Sequence, residues 1–155
     1  MTEKPSVFGL ADTDKLQQLE PSAGCFVCDP DNPGGLGIRF YTDGQAAYAE
    51  HALSEAYQGY DGMVHGGVLV TLLDEVMAKA LAVHGISGVT GKLEVRFRKP
   101  ASIGAKLSLK GWVKSRRRKS CVVASEIRAA DGDLLVEAEG LFLEKADGSQ
   151  PLKSV

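Results

Sequence analysis

Residues 59–67 read Gly-Tyr-Asp-Gly-Met-Val-His-Gly-Gly and run straight into Val68-Leu69-Val70-Thr71-Leu72-Leu73-Asp74-Glu75-Val76-Met77-Ala78-Lys79-Ala80-Leu81. A glycine-rich loop thus opens a segment that is apolar almost all round yet carries Asp74 in its middle. Backbone N–H groups at a helix start have no partner within the helix, and the aligned peptide dipoles make that end partly positive. A carboxylate on a helix that is apolar on every face is expected to be buried, which is costly unless it is paired or used. A donor cluster at one end and an acidic side chain further along are two parts of a site that handles a carbonyl.

The elements that must position these groups follow from periodicity and turn chemistry. Val68, Leu69, Leu72, Leu73, Val76, Met77, Ala80 and Leu81 repeat with the helical period, so one long helix is expected from about Gly66 to Val83. His84-Gly85 should end it, with glycine in the left-handed cap. Before it, Cys25 to Gly37 is broken by Pro30, Pro33, Gly34, Gly35 and Gly37 and reads as a loop. Ile38–Thr42 and Ala46–His51 read as strands about an Asp43-Gly44 turn, and Lys15–Leu19 as a short helix. After the helix, Lys92–Arg98 alternates strictly, with Leu93, Val95 and Phe97 on one face. Lys106–Lys114, Ser120–Ala129 and Leu134–Glu144 are further strands, separated by the basic run 116–119 and by Asp131-Gly132-Asp133. One apolar helix against one antiparallel sheet is an α+β layer arrangement. A single curved sheet covers only part of such a helix, and a second copy of the chain would cover the rest.

At 155 residues the chain is long enough for one domain with a real core. A net charge of -2 disfavours nucleic acid as the main partner. No apolar run approaches the ~20 residues that span a bilayer. Met1–Ala11 has no apolar stretch like that of a secretory signal, so the expectation is a cytoplasmic protein with no membrane partner. Three cysteines make a disulfide framework unlikely as a design principle. Cys25 and Cys28 have zinc-ligand spacing, but no second Cys or His pair follows at a useful distance, so they are read as two thiols in a loop and no metal is expected. Cys121 falls on an apolar strand face and reads as core, while His51 and His84 read as surface residues.

The run His65-Gly66-Gly67, then Leu73-Asp74-Glu75, then Gly88-Val89-Thr90, then the strand Leu93 to Phe97 ending in Lys99-Pro100-Ala101 resembles the hotdog-fold acyl-CoA thioesterases of the phenylacetate-degradation type. The resemblance covers roughly residues 36–144 and rests on the motifs taken together. Cys25-Phe26-Val27-Cys28 with Asn32-Pro33 and Gly35-Leu36 is similar to an N-terminal feature of some proteins of this group. It implies a curved antiparallel sheet wrapped around one long central helix. The expected division is an N-terminal extension with a Cys/Pro/Gly loop (1–35), a hotdog domain (36–145) and a polar tail (146–155).

The resemblance also implies hydrolysis of an acyl-CoA thioester to a carboxylic acid and CoA, with no cofactor beyond the coenzyme A of the substrate. Gly66 and Gly67 would polarise the thioester carbonyl through their N–H groups. Asp74 would attack it or activate water. Asp74 lies eight residues after Gly66, ~12 Å along a helix axis, too far to act on a carbonyl held at its own helix start. The geometry asks for a second helix running antiparallel, as a two-fold homodimer with sites between subunits supplies; pairing of two dimers would give a tetramer. Glu75, about 100° further round the helix, is the competing carboxylate, read first as a polar contact at the dimer seam. By resemblance Thr90 would orient the attacking group, and Gln58 would hold the carbonyl or water, although some relatives carry asparagine where this chain has Gly59. His65 would satisfy local backbone groups or donate to the carbonyl. Arg116, Arg117, Arg118 and Lys119 form a basic turn suited to CoA phosphates, with Arg98 among the alternatives; a solvated hairpin is the competing reading. Two other functions compete: a non-catalytic acyl-CoA or lipid binder of the same fold, and a hotdog dehydratase or hydratase, which the Gly-Gly directly after His65 disfavours.

Overall fold

A computed structural model describes residues 15–145. The long helix α1 spans Gly66–Val83. His65 caps its start, the Nδ1 atom accepting the Gly67 N–H at 2.9 Å. Its end is a glycine cap: Gly85 sits at φ +70°, its N–H reaches Ala82 O, and the Ile86 N–H reaches Leu81 O, both at 3.0 Å. Ile86 and Leu81 are both buried beside this turn, the apolar contact that accompanies such a cap.

Seven antiparallel strands form one curved sheet: β1 (Gln17–Gln18), β2 (Tyr41–Thr42), β3 (Ala47–Ala52), β4 (Gly88–Phe97), β5 (Lys106–Arg117), β6 (Ser120–Ala129) and β7 (Leu134–Glu144). Their order across the sheet is β1-β2-β3-β5-β6-β7-β4. The strand that follows the helix therefore takes an edge, and the last three strands meander back to it. On β4, Leu93, Val95 and Phe97 pair with Gly140, Ala138 and Val136 of β7 and share their helix-facing side.

Two glycines let the helix lie close to the sheet. A Cβ on Gly111 of β5 would stand 2.5 Å from Val76 O, and one on Gly140 of β7 would stand 2.9 Å from Met77 Sδ. Around them Leu72, Leu73, Val76, Met77, Leu109, Ile127, Val136 and Phe142 are fully buried. Each large side chain of this kind contributes about 1.5–3 kcal/mol by leaving water.

Several elements differ from the sequence expectation. Lys15–Leu19 does not form a helix; Gln17–Gln18 pairs with Tyr41–Thr42 instead. Ile38 and Phe40 are buried, but only Tyr41–Thr42 joins the ladder; the Ile38 N–H bonds Val27 O and Phe40 O accepts from Leu19 N–H. The basic run is not all turn: Arg116 and Arg117 close β5, paired with Cys121 and Ser120, and Arg118–Lys119 alone make the turn, with Arg118 at φ 55°. Residues 1–14 and 146–155, which take in the first part of the expected extension and the whole polar tail, lie outside the described residues. Among the described residues no helix is long and apolar enough to cross a membrane.

Candidate active site

The loop before α1 folds back on itself. Gly59 N–H bonds Met63 O, His65 N–H bonds Tyr57 O, and Val64 N–H bonds Ala101 O, each at 2.9 Å. Gln58 Oε1 accepts the Gly62 N–H at 2.9 Å, which leaves the Gln58 amide nitrogen as a donor. These contacts form one wall of a cavity of about 720 Å³, whose lining includes Gln58, Tyr60, His65, Gly66, Phe97 and Arg98. The helix start thus opens onto a space wide enough for a ligand.

The two glycines are not equivalent. Gly67 N–H is held by His65 Nδ1, so it is already spent within the chain. Gly66 N–H has no acceptor among the described residues, and it faces the positive end of α1. His65 Nδ1 therefore satisfies a local backbone group at the helix start. Because Nδ1 accepts, the neutral ring carries its proton on Nε2, where it remains available as a donor.

Asp74 lies partly exposed, not buried as its apolar surroundings in the sequence suggest. The face of α1 that carries Gly67, Val70, Thr71, Asp74 and Ala78 is left incompletely covered by the chain's own sheet. Thr90 on β4 reaches across to it: Thr90 Oγ1 donates to Asp74 Oδ1 at 2.7 Å. A β-bulge between Thr90 and Lys92 falls directly after this contact. The cavity at the helix start does not include Asp74 or Thr90 in its lining.

Glu75 points elsewhere. Its side chain is 17% exposed and stands 3.8 Å from Cys25 Sγ and 3.9 Å from Lys79 Nζ, under the segment that precedes β2. It is not on the uncovered face with Asp74, and its contacts lie within the chain. Lys79 was not singled out in the sequence. It is only 5% exposed, hydrogen-bonds Glu20 O at 3.1 Å and lies over the Phe40 ring.

The basic candidates divide between two ends of the sheet. Arg98 pairs with Glu137 at 3.1 Å and Lys99 with Asp133 at 2.7 Å, at the cavity end. Arg116 pairs with both oxygens of Glu144 at the other end. Arg117, Arg118 and Lys119 are exposed and make no ion pair among the described residues. Arg116, Cys121, Phe142 and Thr90 are register partners in one row across β5, β6, β7 and β4. The basic turn therefore shares the sheet end of Thr90. Of the other histidines, His84 is exposed, but His51 is half-buried, and burial holds its imidazole below the ordinary value.

Tyr60 and Phe97 are cavity residues that the sequence did not single out. Phe97 is 55% exposed and not core as its alternation suggests; its ring lies against Gly66, at the end of β4 beyond the helix body.

Residues 61–136 match the model of the thioesterase superfamily. The chain belongs to the thioesterase superfamily. A crystal structure of a thioesterase superfamily protein is 34% identical, with a TM-score of 0.74, over 77% of this chain and 60% of that one. This superfamily chain thus spans less than two thirds of the length of that relative. A hypothetical thioesterase from Streptococcus pneumoniae TIGR4, solved with coenzyme A, is 23% identical, with a TM-score of 0.63 over 65% of this chain and 82% of that one. Two further structures of the pneumococcal protein are of an aspartate-to-alanine and a threonine-to-alanine variant, at positions sixteen residues apart. The E. coli PaaI protein from the phenylacetic acid degradation operon is 21% identical, with a TM-score of 0.66 over 72% of this chain and 81% of that one. The last two likenesses carry the fold, which is the hotdog fold. Comparison with curated proteins finds no match.

Proposed function

We propose that this superfamily member is an acyl-CoA thioesterase of the phenylacetate-degradation type, acting as a homodimer with two shared sites. The observation that carries the reading is the Thr90–Asp74 hydrogen bond on a helix face left open beside an unfilled donor at the helix start. The separation of Asp74 and Thr90 is sixteen residues, that of the two substituted positions in the pneumococcal protein solved with coenzyme A.

Within one chain Asp74 is ~12 Å along the axis from Gly66. A second copy, related by a two-fold axis along the open helix face, sets Asp74 of one chain against Gly66 of the other. Antiparallel pairing of the two β4 edges serves the same arrangement and covers ladder groups that an edge strand leaves open. The Thr90 end of one β4 then meets the Phe97 end of the other. The basic turn Arg117–Lys119 of one chain comes toward the partner's cavity and supplies cations for CoA phosphates.

In the reaction, the Gly66 N–H polarises the thioester carbonyl and receives the charge that develops on its oxygen. The His65 Nε2–H and the Gln58 amide nitrogen are further donors on the same wall. Asp74, oriented by Thr90, either attacks the carbonyl carbon or takes a proton from the attacking water. The carbon–sulfur bond breaks, and the thiolate of CoA leaves and takes up a proton; on the direct route water then cleaves the acyl–Asp74 anhydride, so both routes release the carboxylic acid and restore Asp74. No metal or further cofactor takes part in these steps.

Thiol release from a panel of short, medium, long and aryl acyl-CoAs tests the activity, with sedimentation reporting the assembly. Turnover of at least one member by a dimer or tetramer is expected. Tight binding of acyl-CoA with no release would replace the reading with that of a non-catalytic binder.

A further inference from the structure

One cluster outside the carbonyl-handling residues gathers three metal-ligating side chains from distant parts of the chain. The Sγ atoms of Cys25 and Cys28 and a carboxylate oxygen of Glu75 lie within 4.8 Å of one another. Cys25 Sγ stands 3.8 Å from Glu75 Oε1. Tetrahedral zinc, with bonds of ~2.3 Å to sulfur and ~2.0–2.2 Å to oxygen, holds its donors roughly 3.5–3.8 Å apart. The cluster therefore needs to contract by only about 1 Å at its longest side to meet that geometry. The two-residue spacer between the cysteines is that of a zinc knuckle, and the third donor, absent from the sequence neighbourhood, arrives from α1.

Two features of the surroundings fit a cation here. Glu75 is 17% exposed, yet among the described residues its polar contacts are Cys25 Sγ at 3.8 Å and Lys79 Nζ at 3.9 Å, both too long for a strong bond. A carboxylate so far removed from water normally has closer partners. Lys79 is no closer because its ammonium is drawn to Glu20 O at 3.1 Å. Second, the Ser22 N–H points at Cys28 Sγ from 3.3 Å, the kind of outer contact that supports a metal-bound thiolate.

We propose that Cys25, Cys28 and Glu75 form a zinc site, with water at the fourth position, that clips the segment before β2 to the helix that carries Asp74. Both thiols give up their protons to solvent as two zinc–sulfur bonds and one zinc–oxygen bond form. Two thiolates, one carboxylate and the Lys79 ammonium sum to a charge of about -2, which Zn²⁺ neutralises, so no charge is left unbalanced in the half-buried cluster. Two sulfur donors select zinc over magnesium or calcium. The ion's task here is structural, since Glu75 lies away from the Asp74–Thr90 pair.

The full chain, reduced and stripped with chelator, is titrated with Co²⁺ as a spectroscopic probe. The expected result is one cobalt per chain, with thiolate-to-cobalt charge-transfer and tetrahedral d–d bands that one equivalent of Zn²⁺ removes. Cys25→Ser should abolish the charge-transfer spectrum of the pair, and Glu75→Gln should shift the d–d bands and weaken binding tenfold or more. If a variant does not fold, the wild-type melting temperature with and without Zn²⁺ serves instead, and a rise with Zn²⁺ is expected. No thiolate–cobalt band in folded chain, bands unchanged in both variants, or no rise in melting temperature would overturn the proposal. Recovery of a Cys25–Cys28 disulfide as the stable form under the reductant would also overturn it.

Discussion

Replacing Gly66 with proline should remove one donor from the proposed site and little from the fold. Gly66 is the first residue of α1, the helical position that proline tolerates best. The residue before it, His65, already sits at φ -59° and ψ 132°, within the region that a following proline requires. Gly66 N–H has no partner among the described residues, so the substitution breaks no hydrogen bond there. A Cβ at this position would lie 3.5 Å from the Phe97 ring, an ordinary contact. Stability should hold or rise by up to about 1 kcal/mol through the stiffer unfolded chain. Activity should not hold. Loss of one oxyanion donor costs about 2.7–4 kcal/mol of transition-state stabilisation, a fall in kcat of roughly 10²–10³-fold. Gly66→Ala, which keeps the N–H and adds only the methyl, is the control for shape. Steady-state thiol release on all three proteins, with urea denaturation in parallel, makes the comparison. A folded Gly66→Pro with the kcat of Gly66→Ala would refute the assignment of Gly66 as the donor.

Thr90→Val removes the 2.7 Å bond to Asp74 from a surface position. It should lower kcat roughly 10–100-fold, from about 1.5–3 kcal/mol for a bond to a charged partner, while stability in urea moves by less than about 0.5 kcal/mol; the opposite pattern would make the bond structural. Gly111→Ala places a methyl 2.5 Å from Val76 O, so the helix must shift and stability should fall by about 1–3 kcal/mol in denaturant titration; an unchanged midpoint would mean that the helix–sheet contact is looser than drawn. Burial depresses the imidazole of His51 below 6.5, so between that folded value and 6.5 the unfolded chain binds more protons. Stability should therefore fall as pH drops below 6.5, and His51→Gln should flatten that part of the profile; an identical profile in the variant would assign the loss to other groups.

The helix and most of the sheet were legible because local signals there agree with tertiary need. Leu69, Leu72, Leu73, Val76 and Met77 set the period of α1, and Gly85 closes it with a cap whose left-handed φ only glycine adopts freely. Cys121, Val123, Ser125 and Ile127 of β6, and Val136, Ala138, Gly140 and Phe142 of β7, share a buried face at the strand period. The end of β5 was not legible, since Arg116 and Arg117 continue the strand only by pairing with Cys121 and Ser120. The edge position of β4 could not be read either, because it depends on pairing with β7, nearly the last segment of the described chain.

The candidate site was legible in residue type but not in exposure. Sequence placed Asp74 on an apolar helix and inferred burial, whereas the single chain leaves that face open and Thr90 supplies its contact. Gly66 and Gly67 looked alike, yet His65 takes the second N–H and leaves the first. The contacts of Glu75 with Cys25 and of Lys79 with Glu20 were not legible, because only the fold lays the segment around Cys25 over them.

The most direct test of the proposed chemistry is thiol release from the best acyl-CoA substrate by wild type and by Asp74→Asn, each verified as folded and equally assembled. The proposed chemistry requires that turnover collapse in Asp74→Asn while acyl-CoA still binds. Turnover that survives the substitution would contradict it and remove Asp74 from the chemistry.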